Sequence, residues 1–385
     1  MIYLDYQATT PLAPEARDAM LPWFTGDGSA NPHSSHRAGR AAKAAVECAR
    51  EQVASLLPAD GNVYFTSGAT EAANWALQGV VGKGGVVLPA TEHACVRDTA
   101  LFLRERGHDV TLLAVDPDGL IGASTRIPAG TTIVATMHVN NEIGVIQTVE
   151  ALAKAAHDAG ALFFCDAVQS YGRIAIPDGC DMIAISAHKI HGPKGVGALW
   201  VRDGVTLTPF MHGGGQEGGL RSGTLSPALC AGFGAAADLA MVRFDEDAAH
   251  VARLWDAAVA RLGQSWTING SVAHRYKGNL NIRLDSVDAN RIISECRDIA
   301  FSTGSACASG SGRSSHVLTA LGLSRPERNR VCVSGSAVIR QRQNSSMQST
   351  RSTQRRTGRW ISRHDSCSVR RCRWCCHERC RCPSG

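Results

Sequence analysis

The ten residues SAHKIHGPKG, Ser186–Gly195, hold two of the chain's six lysines, five positions apart among small residues and flanked by His188 and His191. They stand between two short apolar runs, DMIAIS (181–186) and GALWVR (197–202), each of which reads as a strand. Lys189 therefore sits just past a strand end, where small neighbours let other groups come close. The same rhythm extends outward. VYFTS, GGVVLPA, DVTLLAV, TTIVATM and ALFFCDA also read as strands, and several are apolar without interruption, as strands covered on both faces should be. Between them EAANWALQGVV, VRDTALFLRERG and VEALAKAAHDAG read as helices, the last two closed by Gly107 and Gly160. Strand and helix in alternation from about Val63 to Leu207 predict an α/β fold with a mostly parallel sheet and crossover helices.

After the glycine-rich segment HGGGQEGGLRSGT the pattern changes. A helical run from about Pro227 to Leu262 leads to a strand, NLNIRL, and two helices, DANRIISEC and SSHVLTALG, which predict a smaller α+β domain. The expected division is a large domain over residues 13–254 and a small domain made of 1–12 with 255–331. Residues 332–385 form a tail of different character.

Charge separates along the same line. The chain carries 40 Lys and Arg against 34 Asp and Glu, but the segment from Val331 onward holds 12 Arg with only Asp365 and Glu378, so the tail is at +10 and the body at −4. A mildly acidic body gives no reason to expect a nucleic acid partner. No apolar run reaches the roughly 18 to 20 residues of a membrane span, and MIYLDYQATTPLAPEA does not read as a signal peptide, so the cytoplasm is the expected compartment. Seven cysteines are scattered through the body, where such residues are most often small buried hydrophobes.

A lysine at a strand end is placed to form a Schiff base with pyridoxal phosphate, although alone it reads first as a surface lysine. That cofactor makes further demands, and each has a candidate. A carboxylate at the end of a buried strand, to keep the pyridinium nitrogen protonated, is offered by Asp166 in FFCDAVQS, with Gln169 three residues on within reach of the ring oxygen. Asp166 alone reads equally as a helix cap. A phosphate cradle at a helix start is offered by TSGATEAAN, with Gly68, Ala69 and Thr70, and Ser186 and His188 would add contacts. The plainer reading of TSGATE is a capping box from Thr66 or Ser67 with Glu71. His93 in TEHAC is a flat partner for the ring, and Asn140 or Asn141 in HVNNEIG could reach its oxygen.

The motifs YLDYQATTPL, TSGATEAAN, TEHACV, HVNNEIGVIQ, CDAVQSYGRI, SAHKIHGPKGVGALWV, GGGQEGGLRSGT and STGSACASGS resemble, in order and spacing, the cysteine desulfurases of the NifS/IscS type, from residue 2 to about 330. The resemblance implies the fold type I of pyridoxal phosphate enzymes and removal of sulfur from L-cysteine, leaving L-alanine and a protein persulfide. It implies Lys189 as the Schiff-base lysine and Asp166 as partner of the pyridinium nitrogen. Gln169 and Asn141 would lie at the ring oxygen, and His93 would stack on the ring and carry protons. Ala69, Thr70, Ser186 and His188 would hold the phosphate, with Thr224 reaching the phosphate of a neighbouring subunit in a homodimer. Cys307, in the small polar loop FSTGSACASGSGRSS, would be the persulfide cysteine, and its GSAC setting is that of members that feed iron–sulfur scaffold proteins and tRNA thiolation. No metal is implied.

Two departures from the pattern stand out. GRSSHVL replaces a segment resembling LEPSHVL, and near Cys332 the strand expected to bear an RxSxG-like segment, whose arginine holds the substrate carboxylate, reads VCVSGSAVIRQRQ. The following Arg- and Cys-rich residues have no apolar periodicity and match no regular zinc spacing, as a reading frame slipped near codon 331 would produce. Impaired turnover with intact cofactor binding is the expected consequence. Other readings are a selenocysteine lyase or an aminotransferase of the same fold, the latter needing no thiol, or an inactive scaffold whose basic tail binds nucleic acid.

Overall fold

A computed structural model of the chain describes residues 1–80, 82, 84–122, 125–285, 287–303 and 315–335. Cys307 and the chain beyond Gly335 lie outside the described residues. The elements run β1 (Ile2–Tyr3), α1 (Pro14–Met20), α2 (Arg37–Ala54), β2 (Gly61–Thr66), α3 (Ala69–Val80), β3 (Gly85–Pro89), α4 (Ala94–Glu105) and β4 (Val110–Leu113). Next come β5 (Thr131–Met137), α5 (Val149–Asp158), β6 (Leu162–Asp166), β7 (Met182–Ser186), β8 (Gly197–Arg202), α6 (Pro227–Val242) and α7 (Phe244–Leu262). The last are β9 (Thr267–Ile268), β10 (Asn279–Arg283), α8 (Ala289–Glu295), β11 (Ile299–Ala300), β12 (Ser302–Thr303), α9 (His316–Ala320), α10 (Arg325–Arg328) and β13 (Val331–Gly335).

All seven runs read as strands between Val63 and Arg202 enter one sheet of order β2-β8-β7-β6-β5-β3-β4. Four of its pairings are parallel, and the two made by β8 are antiparallel. Their unbroken apolar sequences have a direct cause, since alternate residues enter cores on opposite faces. Phe163, Ile183 and Trp200 pack with α2, α5 and α6, while Phe164, Met182 and Leu199 pack with α3 and α4. Each such side chain, removed from water, contributes about 1.5–3 kcal/mol. The C-terminal ends of β5, β6 and β7 open at one edge of this sheet, so Asp166, last in β6, and Lys189, three residues past β7, come from adjacent parallel strands.

A second sheet has order β12-β13-β10-β9, with β13 antiparallel to both neighbours. Val331 and Val333 join Val317, Leu318 and Leu321 of the α9 region and Ile143 and Val145 in a third core. This strand continues four residues past the expected boundary at 331, because its alternating valines still have a core to fill. β1 pairs in parallel with β11, and Asp5 bridges to Gly335, so the N-terminus lies beside this sheet. The single helical run expected from Pro227 to Leu262 is two helices, bent by 73° at Arg243. The expected boundary after residue 254 falls within α7, which is continuous to Leu262. Among the described residues no single helix is long and apolar enough to cross a membrane.

Candidate active site

A cavity of about 470 Å³ opens where these strand ends meet the start of α3, a volume within the usual range for a cofactor site. Ala69, Thr70, His93, Asn141, Asp166, Gln169, Ser186, His188 and Lys189 all line it. Of the other expected site residues, Thr224 is exposed and does not line the cavity, and Cys307 lies outside the described residues.

The floor is built from strand ends. Asp166 is buried and its Oδ1 accepts the Val168 N–H at 3.0 Å. Burial pushes its pKa up, against the pull of His93, the Val168 N–H and Lys189. A pyridinium N–H beside this buried carboxylate would offset the cost of its burial. Lys189 is buried, and its Nζ donates to the carbonyls of Gln7, at 2.5 Å, and Ala8, at 2.9 Å. His93 caps α4, its Nδ1 accepting the Cys95 N–H at 3.2 Å, so the neutral ring carries its proton on Nε2. Burial lowers its pKa, only partly offset by Asp166.

The wall beside Lys189 is held by the N-terminal segment. Thr10 Oγ1 donates to the His188 carbonyl at 2.9 Å and accepts the His191 N–H at 2.8 Å. These bonds hold His191 at φ +67°, a conformation uncommon for a residue with a Cβ. His188 Nδ1 is 3.1 Å from Thr9 Oγ1, and burial together with Lys189, Lys194 and Arg173 lowers its pKa to about 4, so it is neutral at pH 7. Of the two lysines that open the sequence question, Lys189 is buried in the cavity and Lys194 is exposed at its rim.

At the opposite wall, Ser67 to Thr70 form the turn into α3. The start of β8 passes so close that a Cβ on Gly197 would lie 2.7 Å from Gly68 Cα, so a side chain there would displace the turn. Glu71 accepts the Ser67 N–H at 2.8 Å and an ion pair from Arg221 at 2.6 and 3.0 Å. Burial alone would raise its pKa, yet the bonds from Arg221 and Ser67 hold it below the ordinary carboxylate value. The capping box anticipated in TSGATE is not formed, because Glu71 takes the N–H of Ser67 and not that of Gly68, which precedes the helix; Glu71 instead ties the turn to the segment that carries Thr224.

The two asparagines of HVNNEIG divide cleanly. Asn140 is buried and structural, its Nδ2 bonding the Thr91 carbonyl and its Oδ1 accepting from the Glu142 and Ile143 N–H groups, whereas Asn141 faces the cavity. Gln169 lines the cavity with its amide engaged, Nε2 on the Gln7 carbonyl and Oε1 on Arg173. Sequence reasoning missed Ala8 and Thr9, which line the cavity from the N-terminal segment, and two buried acids. Glu92 is fully buried, accepts the Met137 N–H, and is pushed well above the usual carboxylate range by burial and by Asp166. Glu142 accepts from Ser315 Oγ at 2.6 Å, and burial raises it to about 8. Their motifs, TEH and NNE, hold the only advance signal, an acid within an otherwise apolar or amide run.

The sequence matches the family model described as aminotransferase class-V over residues 2–325. The chain belongs to this family. Among class-V relatives, the cysteine desulfurase IscS of Rickettsia akari is 43% identical over 341 residues, covering 84% of this chain and 83% of that protein. The mitochondrial cysteine desulfurase of Saccharomyces cerevisiae is 45% identical over 338 residues, covering 83% of this chain and 68% of that protein. Of the solved structures, SspA in complex with cysteine superposes with a TM-score of 0.77 at 35% identity, covering 88% of this chain and 99% of that one. These similarities place the chain with the NifS/IscS-type members of the class-V family and its fold with theirs.

Proposed function

We propose that this chain is a pyridoxal phosphate-dependent cysteine desulfurase that converts L-cysteine to L-alanine and receives the sulfur as a persulfide on Cys307. The observation that carries the reading is the convergence of Lys189, Asp166 and His93 on one cavity whose far wall is the turn into α3. When bound, pyridoxal phosphate supplies an electron sink for bonds at the amino acid's Cα and Cβ. Lys189 would carry it and Asp166 would hold its ring nitrogen. Asn141 and Gln169 would meet the ring oxygen, and His93 would stack on the ring and exchange protons at Nε2. Ala69 and Thr70, with Ser186 and His188, would hold the phosphate.

In the overall reaction the Cys307 thiolate takes the substrate sulfur. An S–S bond forms, the substrate C–S bond breaks, and the carbon that keeps the electron pair takes up a proton to give alanine. Thr224, exposed and away from this chain's own cavity, supports a homodimer in which it reaches the partner's phosphate. Sulfur acceptors, such as scaffold proteins for iron–sulfur clusters or tRNA thiolation, follow from the family reading, as does a cytoplasmic site of action. Residues 13–254 would then hold the cofactor, and residues 1–12 with 255–331 the substrate side.

The test is to load the full chain with pyridoxal phosphate and supply L-cysteine, L-selenocysteine and common amino donors in turn. Alanine from cysteine, abolished in Cys307→Ala, is the expected result. Alanine from selenocysteine alone, or transamination without alanine release from cysteine, would overturn it in favour of the lyase or the aminotransferase.

A further inference from the structure

Two of the residues read as cofactor ligands, His93 and Asp166, form a second donor set with Cys95, which no cofactor role absorbs. His93, Cys95 and Asp166 each bring one nitrogen, sulfur or oxygen atom to within 4.8 Å of the other two, the one such His, Cys and carboxylate group among the described residues. His93 Nδ1 and Cys95 Sγ are 3.0 Å apart. Their positions are fixed by separate elements. His93 and Cys95 belong to the cap and first turn of α4, while Asp166 ends β6 and is held by the Val168 N–H.

An imidazole, a thiolate and a carboxylate form a mixed donor set of the borderline softness that suits Zn²⁺, and two anionic ligands balance a divalent charge. Three protein donors beside an open cavity also leave the fourth tetrahedral position for water. Lys189, whose charge acts on both His93 and Asp166, has its Nζ turned onto the Gln7 and Ala8 carbonyls.

We propose that in the cofactor-free chain His93, Cys95 and Asp166 bind a divalent cation of the Zn²⁺ class, and that this metal and pyridoxal phosphate exclude one another. On binding, the Cys95 thiol releases its proton to solvent as the sulfur–metal bond forms, and no electron is transferred. Exclusion rests on the cofactor reading above, because His93 and Asp166 are the residues the ring would need. The metal site itself does not.

Co²⁺ serves as the probe. The full-length chain, stripped of cofactor and kept reduced, is titrated while thiolate-to-cobalt absorption and bound equivalents are followed, for the wild type, Cys95→Ser, Cys95→Ala and Cys307→Ala. Expected is one equivalent lost in both Cys95 variants and retained in Cys307→Ala, which separates this site from the chain's other thiols. The same equivalent is expected to disappear after loading with pyridoxal phosphate. Equal equivalents in wild type and both Cys95 variants, or cofactor loading that displaces no metal, would overturn the proposal. A chain that takes up no pyridoxal phosphate would instead sink the cofactor reading, and the Cys95 comparison would still decide the metal site.

Discussion

The large sheet and the small sheet of this molecule are both well formed, yet they differ in what they offer to chemistry. At the ends of β6 and β7 the buried polar groups, Asp166 and Lys189, face a cavity and are supported by named partners. In the small sheet β13 keeps its register, Ile282 opposite Cys332 and Asn281 opposite Val333, and buries both valines. Its polar position is another matter. Cys332 stands in a C-V-S sequence where the family resemblance calls for R-x-S, and burial raises its thiol to about 11, so it presents neither a cation nor a thiolate at neutral pH. Packing and chemistry are thus separable along one strand, since a valine core specifies the backbone whatever occupies the alternate positions. Cofactor capture should therefore be intact where substrate capture is weak.

The largest effect is expected at Lys189. Lys189→Ala should lose the cofactor's lysine-linked absorption and all alanine formation, read by spectrum and product together; a variant that keeps the absorption would place the attachment elsewhere. Asp166→Asn should still bind pyridoxal phosphate but slow single-turnover alanine release by about two orders of magnitude or more, the scale of a lost proton-holding group. A change of less than threefold would remove Asp166 from the chemistry.

Cys332→Arg sharpens the contrast between the sheets in the opposite direction. A charged hydrogen bond to a carboxylate contributes about 1.5–3 kcal/mol, so kcat/KM for L-cysteine should rise about tenfold or more while cofactor occupancy stays constant. An unchanged kcat/KM would mean that the small sheet does not limit turnover.

The smallest effect is one of stability. Glu142 has a folded-state pKa of about 8, above its value in the unfolded chain, so the folded state binds the proton more tightly. Its contribution is complete at acid pH below the unfolded value and is lost as pH rises toward and through 8. Thermal unfolding of Glu142→Gln, which keeps an acceptor for Ser315 and cannot ionise, should show a flatter decline between pH 5 and 8 than the wild type. Parallel declines would show that Glu142 is not ionising in that window.

Much of this was legible in the sequence because it depends on period and local chemistry. Unbroken apolar runs such as ALFFCDA and DMIAIS announce strands covered on both faces, and the strand-end positions of Asp166 and Lys189 follow from them. The bend at Arg243 is marked by no glycine or proline, and its only signal in the sequence is the acidic run Asp245, Glu246 and Asp247 that opens α7. Glu92 and Glu142 were not legible, since their character comes from burial against distant residues such as Met137 and Ser315. The hold of Gln7 and Ala8 on Lys189 is likewise invisible, because it joins backbone carbonyls to a side chain more than 180 positions away. Composition set the start of the tail too early, for VCVSG still carries two valines at strand spacing and the small core claims them.

The most direct measurement uses L-cysteine labelled with radioactive sulfur, in a single turnover on the cofactor-loaded full chain. The peptide containing Cys307 is then isolated without reductant and alanine is counted. Label on that peptide in proportion to alanine, with both lost in Cys307→Ala, is the predicted result. Alanine formed at an undiminished rate in Cys307→Ala, or label on another cysteine alone, would contradict the assignment of this chain as a desulfurase acting through Cys307.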